Sequence, residues 1–227
     1  MKYDRQGAVD YAHLYTEGLG QHRGRHYRGL SCIIDAMLTW ANPEYFFYFP
    51  NCANFVSQCL HCGGKIPMTD DWHHTRTPAG KHRFHRVLSG MLILLQRTRM
   101  LFHIDCWDVS QCWRCAPAHF DYFGDAKSGC PGISPIPVSK DADAAELLRQ
   151  YPIQIGDLIY LVQAGRIRHC LLITKLTDRE IYYSANRYTR YDRELSFALH
   201  SPKTERAYIV CLPDSLAAEE NKLVRGD

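Results

Sequence analysis

Three side chains that together can cleave an amide bond occur in this chain in the order Cys52, His169, Asn186. A cysteine attacks through its thiolate, an imidazole takes and returns the proton, and a third polar group holds that imidazole in one tautomer. Cys52 is set apart from the other cysteines by its surroundings. Tyr45-Phe-Phe-Tyr-Phe-Pro50 is an aromatic, extended run. From Cys52 the apolar spacing turns helical, with Ala53, Phe55, Val56, Cys59 and Leu60 on one broad stripe and Gly63-Gly64 as the stop. Asn51 is a good N-cap, so the spacing predicts Cys52 in the first turn of a largely buried helix. There, unpaired N–H groups and the positive end of the helix dipole favour thiolate over thiol. The plain alternative is a small buried hydrophobe, the ordinary role of a cysteine in a chain with ten of them.

Twelve histidines compete for the role of base, and most fall in polar stretches. His169 instead starts an apolar strand directly after a turn, with Leu171 and Ile173 on its own face. A structural histidine would fit there equally well. Register bears on the choice. If Thr177-Asp178 is a two-residue hairpin turn, Leu176 pairs with Arg179 and His169 falls opposite Asn186, at about 4.5–5.5 Å between Cβ atoms. A turn one residue later opposes His169 to Tyr188 instead. The oxyanion of a tetrahedral intermediate would meet the Cys52 main-chain N–H, with Asn51 or a tyrosine of the 45–48 run, such as Tyr48, as the second donor.

The elements that must hold these groups can be read in order. Asp4 caps a helix bearing Ala8, Val9, Ala12 and Tyr15, ended by Gly18 and Gly20. A short helix is predicted over 31–41 and another over 84–97, followed by a helical stretch from Cys112 to Phe123. Gly124 to Pro137 reads as a linker, and Asp141 to Gln150 as a short helix. From Gly156 the period becomes that of strands: 157–162, 169–174, 181–184 and 207–212, an antiparallel meander. Helices first and a sheet after them is an α+β arrangement, with the nucleophile helix packed on a C-terminal antiparallel sheet.

A chain of 227 residues suits one domain, 1–227, with a variable helical and loop insertion at about 65–140. A net charge of +3 with scattered basic residues argues against a nucleic-acid partner. The most apolar run, Met91 to Leu95, is too short to span a bilayer, and the N-terminus lacks the apolar core of a secretory signal. Ten cysteines in that setting suggest reduced thiols in a cytoplasm. No phosphate-binding loop, dinucleotide fingerprint or serine-hydrolase elbow is present, and no cofactor is expected. The rival reading is structural zinc. Cys59 with Cys62 and Cys112 with Cys115 are two Cys-x-x-Cys pairs, with Cys106, Cys130 and His103 as further donors.

Asn51-Cys52-Ala53-Asn54-Phe55-Val56-Ser57-Gln58-Cys59-Leu60 with Gly63-Gly64 resembles the signature of the putative amidase domain family, bacterial relatives of the NlpC/P60 and CHAP cysteine peptidases. Asn51 stands where that family usually has Asp, and Ala53 where it has Thr. Tyr3-Asp4-Arg5 looks like its N-terminal helix, and Gly156-Asp157 through His169 to Thr174 looks like its Gly-Asp strand and His strand. Cys106-Trp107 resembles its Ser-Trp segment. Tyr183 to Ser196 is similar to its last motif, with Asn186 where His is common. The resemblance implies a papain-like (NlpC/P60-like) fold and a Cys52-His169-Asn186 triad. It also implies a peptide or other amide as substrate, peptidoglycan-type amides among them. On the same fold, a catalytically inactive copy would be a peptide- or glycan-binding module.

Overall fold

The apolar runs after Gly156 build the sheet that carries the site. In the computed structural model the described residues are 2–16, 52–77, 106–124, 134–186 and 190–215. The helices expected over 31–41 and 84–97, the aromatic run at 45–50, Tyr48 and Asn51 lie outside them. The main sheet has six antiparallel strands: β3 (Ile136–Val138), β4 (Leu158–Gln163), β5 (Arg166–Leu176), β6 (Ile181–Ala185), β7 (Arg190–Glu194) and β8 (Arg206–Val210). Their spatial order is β3-β8-β4-β5-β6-β7. The expected meander is therefore corrected: the last strand returns to lie beside β4. Two strands also replace segments read as connections. Ile136–Val138, at the end of the supposed linker, pairs with Ala207–Ile209, and Arg190–Glu194 pairs with β6. Both are short edge strands, and Pro137 in one and the charges of the other mask their periodicity.

Around the sheet lie α1 (Arg5–Leu14), α2 (Cys52–Gln58) continuing as a π-helical turn (Cys59–Gly63), α3 (Gln111–Arg114), α4 (Ala116–Gly124), α5 (Ala144–Gln150) and α6 (Leu195–Leu199). A two-stranded sheet pairs β1 (His74–Thr77) with β2 (Cys106–Val109). The protein is thus α+β, with α2 against β5 and β6. Strand alternation divides the core. Leu158, Tyr160, Cys170, Leu172 and Val210 meet α1, α2 and α4 on one face, and Ile159, Leu161, Leu171, Ile173 and Ile209 meet α5 and α6 on the other.

Motif residues with no chemistry of their own dock α1. Tyr3 donates its hydroxyl to the Gly156 carbonyl at 2.9 Å, and a Cβ on Gly156 would strike that ring. Arg5 donates to Asp157 Oδ1 at 2.7 Å, to the Ile155 carbonyl at 3.0 Å and to Asp214 Oδ1 at 2.7 Å, and also to the Leu212 carbonyl. Asp157 is 0% exposed and accepts further from the main-chain N–H groups of Gln154 and Leu212. Burial pushes the Asp157 carboxyl up, and the Arg5 guanidinium counters it. Such a pair holds two chain ends together because leaving either charge buried alone would cost several kcal/mol, about 3–5.

The glycines after α2 act differently from the expectation. Gly64 has right-handed φ −78°, and the left-handed residue is Lys65 at φ 60°. Gly63 serves close approach, since a Cβ there would run into the Gly7 carbonyl of α1. The π-helical turn and the Lys65 cap end the helix.

Candidate active site

All seven residues of α2 are buried, although three of them are polar. A polar side chain on a buried helix face must find a partner or cost about 1–3 kcal/mol. Each does. Asn54 Oδ1 accepts the Trp113 indole N–H at 2.7 Å, Ser57 Oγ accepts that of Trp72 at 2.9 Å, and Gln58 Oε1 accepts the Tyr11 hydroxyl at 3.2 Å. Ser57 donates onward to the Trp113 carbonyl at 2.9 Å. Trp72 and Trp113 lie tilted at 4.8 Å, with Phe123 edge-on to Trp72 at 5.4 Å. The Asn-Phe-Val-Ser-Gln stretch therefore fixes the rotation of α2 against α1, α3 and the Trp72 loop. Asn54, Ser57 and Gln58 were not singled out from sequence; polar letters inside an apolar stripe were the available signal.

With its rotation fixed, α2 aims its first residue at β5. Cys52 is 2% exposed, and its sulfur lies 3.8 Å from the Arg168 carbonyl oxygen, in the peptide that leads into His169. A carbonyl oxygen accepts from S–H and repels S⁻, so a thiolate here requires another group to take the proton. In the same core cluster as Cys52 is Cys170, 0% exposed, which touches His119 Nδ1 at 3.7 Å. His119 Nδ1 is also 2.6 Å from the Tyr160 hydroxyl, and burial brings the His119 pKa down to about 3. Burial likewise brings His74 down to about 4. Both imidazoles are neutral at pH 7.

At the turn the register is the second of the two expected, with the turn one residue later. Leu176 pairs with Ile181, and Thr177 N–H donates to the Glu180 carbonyl at 3.0 Å, with Thr177 Oγ1 accepting from Glu180 N–H at 3.1 Å. The threonine hydroxyl stabilises that turn. A bulge follows at Thr174, and beyond it Leu172 faces Ser184. The pair Leu172 with Ser184 is one residue off the register in which His169 would face Asn186. Asn186 lies just past the end of β6 and is half-buried.

His169 itself pairs with Leu161, while Ile167 pairs with Val162, which leaves Arg168 as a bulge between them. The bulge adjoins His169, where alternation is broken and side chains are re-aimed. His13 Nε2 of α1 lies 2.8 Å from Asp192 Oδ1, which also accepts from Thr174 Oγ1 at 2.7 Å. This ties α1 to the β6–β7 hairpin in which Asn186 lies.

For zinc, no three His, Cys, Asp or Glu side chains gather among the described residues. Cys59 packs in the core cluster with Phe55 and Leu60. The side chain of Cys106, with Cys130 and His103, lies outside the described residues.

The model of the putative amidase domain family matches residues 2–210. The chain belongs to that family. The match covers both the α1 docking residues and the whole sheet, so the amidase domain is one with the fold described above, and it points to a hydrolase acting on an amide. Neither a curated protein nor a solved structure matches the chain. No helix among the described residues is long and apolar enough to cross a membrane.

Proposed function

We infer that this amidase domain hydrolyses amides through a thiol, with Cys52 as nucleophile, His169 as base and acid, and Asn186 orienting the imidazole. The observation that supports it is the placement of the Cys52 sulfur at the start of a buried helix, 3.8 Å from the carbonyl that leads into His169. In this reading the imidazole passes the Arg168 bulge to reach the sulfur and takes its proton. The thiolate then attacks the carboxamide carbon, and the imidazolium protonates the leaving amine. Water, deprotonated by the same imidazole, cleaves the thioester. The Cys52 main-chain N–H faces the oxyanion, with Asn51 or Tyr48 as the second donor. A papain-like (NlpC/P60-like) arrangement accommodates these roles, and peptide amides, including those of peptidoglycan-type stem peptides, suit a thiol nucleophile.

One observation favours a second reading. The β4–β5 ladder is irregular beside His169, with Arg168 bulged out, and a module that binds a peptide or glycan without cleaving it needs no imidazole held at the sulfur. Iodoacetamide separates the two. In an enzyme, Cys52 reacts well before the other thiols near neutral pH, and His169→Ala slows that reaction and shifts its pH profile upward. A Cys52 that labels no faster than Cys62 or Cys112, and is indifferent to His169→Ala, removes the hydrolase mechanism proposed here.

A further inference from the structure

Cys170 is a nucleophilic group beside Cys52 that the proposed hydrolysis does not use. Its side chain turns to the α2 face with Tyr160 and Leu172, in the same core cluster as Cys52. The Cys52 sulfur contacts the same strand two residues earlier, at the Arg168 carbonyl. On its far side Cys170 is braced by His119 Nδ1 at 3.7 Å, which is itself fixed by the Tyr160 hydroxyl at 2.6 Å. Cys52, Cys59 and Cys170 are all free thiols. The two thiols are unequal. Burial, with Cys52 adding to it, pushes Cys170 well above the usual thiol range. Peroxide attacks thiolates, so it passes over Cys170, and in the reading above Cys52 is the thiolate. Cys59 also neighbours Cys170, but it lies seven residues along the helix from Cys52, about 10 Å by rise, and does not compete for that sulfur.

We propose that Cys170 is a resolving thiol, joining Cys52 in a reversible disulfide when the protein meets hydrogen peroxide. This rests on the reading of Cys52 as the reactive thiol, though not on amide hydrolysis. In the first step the Cys52 thiolate attacks one peroxide oxygen, the O–O bond breaks, and the other oxygen leaves as water with a proton from solvent. Cys52 is then a sulfenic acid. In the second step the Cys170 sulfur attacks the Cys52 sulfur, the S–O bond breaks, and the oxygen leaves as water carrying the Cys170 proton. Two thiols and one peroxide become one disulfide and two waters. The bond removes the Cys52 sulfur from any substrate and shields it from sulfinic and sulfonic acid, and a dithiol reverses it. A disulfide needs Cα atoms about 4.4–6.8 Å apart, so the link is a strict test of the α2–β5 contact.

The full chain is treated with a small molar excess of hydrogen peroxide, digested without reduction and mapped by mass spectrometry. The expected product is a Cys52–Cys170 cross-linked peptide, with iodoacetamide labelling of Cys52 restored in full by dithiothreitol. Cys170→Ala is expected to lose the link and to leave Cys52 over-oxidised, with roughly tenfold less label recovered. Oxidised Cys52 without the link, or Cys52 joined to another cysteine, overturns the proposal. Should Cys170→Ala fail to fold, Cys170→Ser keeps the volume, and the wild-type cross-link is decisive without either variant. Amide hydrolysis measured before peroxide and again after dithiothreitol, on reduced protein, keeps the two readings apart. Hydrolysis with rapid labelling but no link removes only the resolving role, and a link without hydrolysis removes only the amidase reading.

Discussion

The two faces of the sheet are built from different chemistry. On the face toward α5 and α6 the buried side chains are almost all aliphatic: Ile136, Val138, Ile159, Leu171, Ile173, Ile181, Leu195 and Ile209. The face toward α2 carries Cys52, Cys59, Cys170, Tyr160, Trp72 and Trp113, and among them Asn54, Ser57, Gln58 and His119, all buried. An aliphatic layer stabilises through area alone and tolerates changes of similar volume. A polar-aromatic layer has to satisfy each donor, so it permits one arrangement, and that rigidity holds α2 in one rotation against β5.

The comparison predicts how unequally the two faces respond to substitution. The largest effect belongs to Cys52→Ser, which should lower amide hydrolysis by about 10³-fold or more while leaving the melting curve near wild type, measured on a peptide-amide panel and by calorimetry. An unchanged rate would place the chemistry elsewhere. Trp113→Ala comes next. Losing a fully buried indole should cost about 3–5 kcal/mol in urea unfolding, part of it from orphaning Asn54.

A pH effect should follow from His119 and His74, whose folded pKa values of about 3 and about 4 lie below the ordinary 6.5. Between pH 6.5 and about 4 the unfolded chain binds protons that the folded one refuses. Stability is therefore whole above that window and falls by a few kcal/mol as the pH drops through it. His119→Phe should flatten the slope, as read from urea midpoints at pH 7 and pH 4.5. On the aliphatic face, Ile159→Val should cost only about 0.5–1.5 kcal/mol and leave hydrolysis untouched. A loss of activity there would mean that the faces are not as independent as their packing implies.

The smallest effect lies outside both faces. Ala164 sits at φ 50° beside Gly165 at φ 70° in the two-residue β4–β5 turn. Ala164→Asn, which tolerates that conformation, should raise the midpoint of unfolding by a few tenths of a kcal/mol, about 0.5.

How much of this was legible beforehand varied with the kind of signal. Helix α1 and the Asp4 cap, the helix opening at Cys52, and the strands after Gly156 follow from apolar period and capping, which are local properties. The short strands β3 and β7 were not legible, because an edge strand of a few residues with Pro or charges carries no period. At the β5–β6 turn the sequence left two registers open, and the Thr177 hydroxyl, accepting from Glu180 N–H, favours the later turn; the bulge at Thr174 that then shifts the pairing was not legible. A slip of one residue moves every partner.

The chain by itself determined the α+β class, the candidate thiol and the family, since helix and strand periods and motif spacing are written residue by residue. Only the folded protein decided that Asn54, Ser57 and Gln58 each meet a ring from a distant segment. The same holds for the bulge beside His169 and for Cys170 in the same core cluster as Cys52. These depend on pairing between segments far apart in the chain, where the energy of one buried hydrogen bond or one turn shifts the outcome and no local pattern records it.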